Sequence, residues 1–442
     1  MAKAIRMAGS LALLFLSACA HSSHPTGPAR PAVPAHPALA QLTKELDAIL
    51  GVPAFDHTYW AVAVKSLKTD ETLYAVNARK LMMPASNMKL VTLASAASTL
   101  GWNYTYETTV RAAGTIQDGV LRGDLVVAGS GDPSVTTIDG AADRLFADWA
   151  ARLKTAGIHS IAGRIVGDDD AFDDDELGFG WSWDDLQDDY AAGISALQFN
   201  ENGARVTIAP GLAAGAPASF SIEPSTTGLV VDNQVATIAE GTPTSIRTRR
   251  LPGSARLEVR GTIAIGARPA IQTVSVDNPT MFFVRSLRTA LIANGIDVRG
   301  EAADVDDVAD PPRLDGALLI TYRSPPLSQL AIRLMKDSQN QYAETFLKTI
   351  GRAAGTPTAA AGRASVQATL QAWGVAAADL IQRDGSGLSR YDYVTADALT
   401  VILTHIDRDQ MLRGPFETSL PIAGGLGFIV RAAAPLPKPD IP

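Results

Sequence analysis

The sequence predicts an α/β (α+β) fold whose middle third is mostly-β inserted material. Three observations lead there. A strand-turn-strand pattern at 59–76 runs into an apolar helix that ends at Gly101. From about 103 to 275, short β-like runs are separated by Gly, Pro and Asp turns. Helical periodicity then returns at 279–295 and dominates after Pro325-Pro326.

Taken in order, Leu39, Leu42, Leu46, Ile49 and Leu50 have the spacing of one helix face. Tyr59 to Leu67 (YWAVAVKSL) is β-rich, Lys68-Thr69-Asp70-Glu71 is a turn, and Thr72 to Val76 is the return strand. Pro84 punctuates the chain before SNMKLVTLASAASTL, whose apolar and small residues predict a buried helix. Expected strands follow at Thr108–Ala112, Asp124–Val127, Arg205–Ile208, Gly228–Val231, Ser245–Thr248 and Arg256–Val259, with a helix at about 141–156. Further helices are expected at 279–295, through LSQLAIRLMKDSQNQYAETFLKTIG, and at 364–373 and 395–406.

The 442 residues and 46% hydrophobic content imply two or three domains. With a net charge of −8, nothing in the sequence suggests a nucleic-acid binder, which would show a basic patch or stripe, and none is expected. The histidines at 21, 24, 36, 57, 159 and 405 have no metal-ligand spacing, and no cofactor or metal is expected. Lys3 and Arg6 followed by a short apolar run form a secretory signal, so the mature chain leaves the cytoplasm. Leu16-Ser17-Ala18-Cys19 resembles the bacterial lipobox, in which the thiol of Cys19 would be lipidated. An ordinary cut after Ala20, in Ala18-Cys19-Ala20, is the alternative. Residues 20–38 are a Pro/Ala-rich linker that cannot bury a core.

Ser86 and Lys89 carry the chemistry. A serine hydroxyl needs a base within hydrogen-bond reach, and residues three apart share a helix face. Among ten lysines, only Lys89 has a serine three residues before it. Met88, Leu90 and Val91 would desolvate its amine and lower its pKa. Ser86 at a helix start also offers its backbone N–H to an oxyanion. Ser338-Gln339-Asn340 is the only Ser-x-Asn in the chain. Ser-x-x-Lys with a Ser-x-Asn is the signature of penicillin-binding proteins and serine β-lactamases.

Eight ordered runs extend the match. They are MPASNMKL (83–90), LRGDLVVAGSGDPS (121–134), GWSWDDL (180–186), SALQFNEN (195–202), VDNPT (276–280), KDSQNQYAE (336–344), DGSGLSR (384–390) and SLPIAG (419–424). With them the chain resembles the D-alanyl-D-alanine carboxypeptidases/endopeptidases of the penicillin-binding-protein-4 type. The resemblance implies a discontinuous transpeptidase/β-lactamase-like domain at 39–102 and 318–442. One inserted domain would span 103–165 and 272–317, with a mostly-β domain nested at 166–271. It also implies attack by Ser86 on the bond between two D-alanines of a peptidoglycan stem peptide. Lys89 would be the base, Ser338 a proton relay, Asn340 a ligand of the substrate amide, and β-lactams acylating mimics.

The family's third motif, Lys-Thr-Gly, is not found: after Lys348 the only lysine is Lys438, followed by Pro439. The expectation is a chain impaired in binding the substrate carboxylate, since loss of one oxyanion donor alone costs about 10²–10³ in rate. The rival reading is a non-catalytic envelope lipoprotein that binds peptidoglycan or a partner. A β-lactamase is disfavoured by the large insertion. The acidic run at 168–176 is read as a solvated face, Gly129-x-Gly131 as a turn, Trp181 and Trp183 as inserted-domain core, and Ser386 as architectural.

Overall fold

A computed structural model of the chain describes residues 37–312 and 315–422. Its contacts divide it into residues 1–58 and 59–442. In the first unit, α1 (Pro37–Leu50) covers the expected amphipathic stretch and is followed by a 3₁₀ turn at Pro53–Phe55. Cys19 and the linker before residue 37 lie outside the described residues.

The second unit opens with the expected hairpin, Val62–Lys65 against Thr72–Val76. Helix α2 (Met88–Leu100) follows, preceded by a 3₁₀ turn at Ala85–Asn87. Nine of its thirteen residues are buried, as a helix apolar on all sides requires. It packs against α6 (Asn340–Ala353), α7 (Ala359–Ala372) and α8 (Ala396–Arg408). Together with α5 (Leu327–Lys336) and α9 (Gln410–Ser419) these helices bury one apolar cluster, including Met88, Leu93, Leu334, Phe346, Leu370 and Phe416.

A second cluster fills the insertion. The long strands Glu107–Gln117 and Val120–Ala128 form an antiparallel pair, and α3 (Ala141–Thr155) and α4 (Pro279–Ala293) cover them with Phe146, Trp149, Phe282 and Phe283. A third, smaller cluster lies between two three-stranded sheets at 203–275, around Val206, Val235, Leu257 and Ile263.

Packing moves some expected boundaries. Ala317–Arg323 pairs with Glu107–Gln117, so the expected return to the catalytic part at 318 falls inside a strand of the insertion's sheet. Ile165, Leu197 and Phe199 pack into the second cluster, whereas residues of the third begin at Val206 rather than at 166. The single helical stretch read from 327 to 351 is broken: Ser338 takes φ 56, which ends α5 and re-aims the chain into α6. The expected strand at 228–231 starts at Val230, because Gly228 is in a left-handed turn, and it runs on to Ile238.

Candidate active site

The site forms where three distant stretches meet. Ser86 sits in the 3₁₀ turn at the start of α2, and Lys89 follows one turn later. Ser338 occupies the break between α5 and α6, and Asn340 is the first residue of α6. Residues 384–389 form a loop that closes over Lys89. All four residues expected at the site converge there.

Lys89 is 1% exposed, and its Nζ lies 3.2 Å from Ser86 Oγ, 2.6 Å from Asn340 Oδ1 and 3.0 Å from the Ser386 carbonyl. Burial lowers its pKa to about 8, against the opposing charges of Glu344 and Asp384. The donor count matters. A neutral amine has two N–H donors and one lone pair. Asn340 Oδ1 and the Ser386 carbonyl can only accept, so they take the two N–H groups and the lone pair is left for the Ser86 hydroxyl. The Asn340 amide is fixed in this sense because its Nδ2 donates to the Tyr190 carbonyl at 2.7 Å. Both of its polar atoms are thus engaged, and one N–H of Nδ2 remains to meet a substrate. The Ser338 hydroxyl donates to Ser86 Oγ at 2.9 Å.

The backbone around both serines is held in sparsely populated geometry. Ala85, just before Ser86, has φ 47, and Ser338 has φ 56. Each such residue costs on the order of 1–3 kcal/mol and persists only where its surroundings fix it. Beside Ser338, Glu201 holds the neighbouring residues. Its carboxylate accepts from Arg333 Nε at 2.7 Å and from Gln339 Nε2 at 2.6 Å, tying the loop to the insertion. Against Ala85 lies Gly387. At φ +81, a Cβ on Gly387 would overlap the Ala85 carbonyl, so the loop approaches the nucleophile turn as closely as backbone allows.

The 384–389 loop is organised by buried acids. Glu344 accepts from the N–H groups of Gly385 (2.8 and 2.9 Å) and Ser386 (2.8 Å), which aims the Ser386 carbonyl at Lys89. Burial raises its carboxyl above the usual range, and the charge of Asp384 adds to this. Asp384 accepts from Gly387 N, Ser389 N, the Ser386 hydroxyl and Trp181 Nε1.

Comparison with known proteins decides the family. The model of the family described as "D-Ala-D-Ala carboxypeptidase 3 (S13) family" matches residues 42–438. The chain belongs to this S13 family. A D-alanyl-D-alanine carboxypeptidase of Actinomadura is 32% identical over 399 residues, covering 87% of this chain and 71% of that protein. The crystal structure of penicillin-binding protein 4 from Haemophilus influenzae superposes with a TM-score of 0.74 at 26% identity, covering 86% of this chain and 82% of that one. A second structure of that protein, complexed with a novel β-lactam, has a TM-score of 0.65 at 24% identity, covering 83% and 78%. The fold of this S13 chain is therefore the mixed α/β, transpeptidase-like one expected, with its insertions.

Several residues of the S13 site escaped sequence reading. Ser386 does more than shape a loop, since its carbonyl is a ligand of Lys89. Glu344, Asp384 and the Tyr190 carbonyl were not singled out at all. Their signal was positional: Glu344 ends the run KDSQNQYAE, Asp384 opens DGSGLSR, and Tyr190 follows GWSWDDL. Trp181 and Trp183 are not core; the first bonds Asp384 and the second is 59% exposed. The acidic run is only partly a solvated face. Asp170, Asp174 and Asp175 are exposed, but Asp168 is buried. Ligand oxygens of Asp169, Asp304 and Asp306 lie within 4.8 Å of one another, a group that could hold a cation. The stretch after SLPIAG, where the third motif was expected and not found, lies past residue 422, outside the described residues.

Proposed function

We propose that this S13 chain hydrolyses the bond between the two terminal D-alanines of peptidoglycan stem peptides through an acyl-enzyme on Ser86. The observation that carries the proposal is the buried Lys89 amine, whose two other neighbours are obligate acceptors. Neutral Lys89 takes the Ser86 hydroxyl proton while Oγ bonds to the scissile carbonyl carbon. The backbone N–H of Ser86 stabilises the oxyanion. Collapse breaks the C–N bond, and the proton returns from Lys89 by way of Ser338 to the leaving amine. Water then gives a proton to Lys89 and attacks the ester, which frees Ser86. The same steps cleave a cross-link when the leaving amine belongs to a second stem peptide.

Incubating the purified chain with defined muropeptides tests this. Release of D-alanine from pentapeptides, lost in Ser86→Ala, supports the reading; no release and no cleaved cross-link from folded protein contradicts it. The rate obtained also decides whether a chain lacking Lys-Thr-Gly is impaired. We further propose export and anchoring through a lipid on Cys19, supported by Leu16-Ser17-Ala18-Cys19. The mass of the mature N-terminus checks it: a diacylated Cys19 is expected, and an unmodified chain starting at His21 would overturn it.

A further inference from the structure

The nested β-region carries a second concave surface, a groove of about 710 Å³ lined by Trp183, Gln187, Arg247, Arg249 and Arg260 among others. Strand alternation explains it. In the antiparallel pair Ser245–Arg249 and Arg256–Ala264, the residues Ile246, Leu257, Val259 and Ile263 face the third core. Arg247, Arg249, Glu258 and Arg260 therefore share the outer face. Arg247 lies directly across from Arg260, and like charges opposite one another disfavour the pair. Glu258, which lies across from Arg249, forms its ion pair with Arg260, at 3.1 Å. Among the described residues, Arg247 and Arg249 have no ion-pair partner. Arg249 instead stacks on the Trp183 ring, 5.7 Å from its centroid.

An exposed indole beside guanidiniums without an ion pair suits one ligand chemistry. The C–H face of a pyranose stacks on an indole, and guanidinium groups hydrogen-bond adjacent hydroxyl and acetamido oxygens. We propose that this groove binds the glycan strand of peptidoglycan, a polymer of N-acetylated hexosamines. This deepens the proposed function and rests on it. The placement agrees. Trp181 bonds Asp384 of the active-site loop, and the Tyr190 carbonyl bonds Asn340. Trp183 and Gln187 lie between these two anchors in the chain. The platform is fastened to the β-region where the Leu186 carbonyl accepts from Arg250 and Ser275. Trp183 is two residues from Trp181, at most ~7 Å along the chain.

The test uses the full chain and glycan strands stripped of stem peptides by an amidase, so binding needs no catalysis. Saturable binding is expected, weakened roughly five- to tenfold by Trp183→Ala and likewise by Arg247→Ala. β-Lactam acylation of Ser86 should be unchanged in both variants, which also shows that they are folded. No binding, binding untouched by both substitutions, or equal binding of polyglutamate, a polyanion without sugar, overturns the proposal. If the unmodified chain binds strands but fails to acylate, the Ser86 chemistry is refuted while the groove is upheld.

Discussion

The pKa of Lys89 makes a quantitative demand on the rate of acylation. With a pKa of about 8, the neutral amine is ~1% of the population at pH 6, ~10% at pH 7, half at pH 8 and ~90% at pH 9. If neutral Lys89 is the base, acylation of Ser86 should rise about tenfold per pH unit up to 7 and level off above 9. A solvated lysine, near 10.4, would keep the rise going past pH 10. The assay is the second-order rate constant for a fluorescent penicillin between pH 6 and 10, with circular dichroism at each pH to show that the fold persists. Stability carries the same signature with a definite sign. Because the folded-state pKa is depressed, holding the ammonium costs the native state about 3 kcal/mol below pH 8, and this cost disappears as pH rises through 10.5. The unfolding free energy of the native chain should therefore gain on that of Lys89→Met over this window. A flat rate profile between pH 6 and 9, or one still climbing above pH 10, would refute the assignment of Lys89 as a desolvated base.

Three further substitutions probe the supports of the site. Ser338→Ala should slow acylation by about 10²-fold, within the range of a lost proton-transfer group, while shifting the denaturation midpoint little. Glu344→Ala strips buried Gly385 and Ser386 N–H groups of their acceptor; urea unfolding should show a loss of about 2–4 kcal/mol, and Glu344→Gln, which keeps one acceptor oxygen, a smaller one. Gly387→Ala adds a Cβ that overlaps the Ala85 backbone at a left-handed position. It should cost about 1–3 kcal/mol and displace Ser86, seen as slower penicillin labelling at 25 °C.

The parts of the molecule set by local pattern were legible in the sequence. The hairpin before Ser86, the buried helix after it and α3, α4 and α7–α8 all follow from apolar spacing and punctuation. The nucleophile and base were legible because they are three residues apart, a separation that helix geometry alone converts into contact. Ser338 and Asn340 were legible only as a motif, since 251 residues separate Asn340 from Lys89 and no local rule joins them.

What stayed hidden depends on backbone atoms and on buried charge. The Ser386 and Tyr190 carbonyls hold Lys89 and Asn340, and a backbone oxygen leaves no mark on residue type. Glu344 looks like any polar residue of a helix until the fold buries it against two N–H groups. The left-handed turn at Ser338 has no local mark either: its neighbour Gln339 is tied to Glu201, 138 residues away.

The central claim, that Ser86 is the nucleophile activated by Lys89, is tested most directly by the intact mass of the chain after incubation with benzylpenicillin, followed by peptide mapping. One covalent adduct on the peptide containing Ser86 is predicted, absent in Ser86→Ala and formed far more slowly in Lys89→Met. A folded chain that gains no mass at saturating penicillin, or one whose adduct maps to another residue, would contradict it.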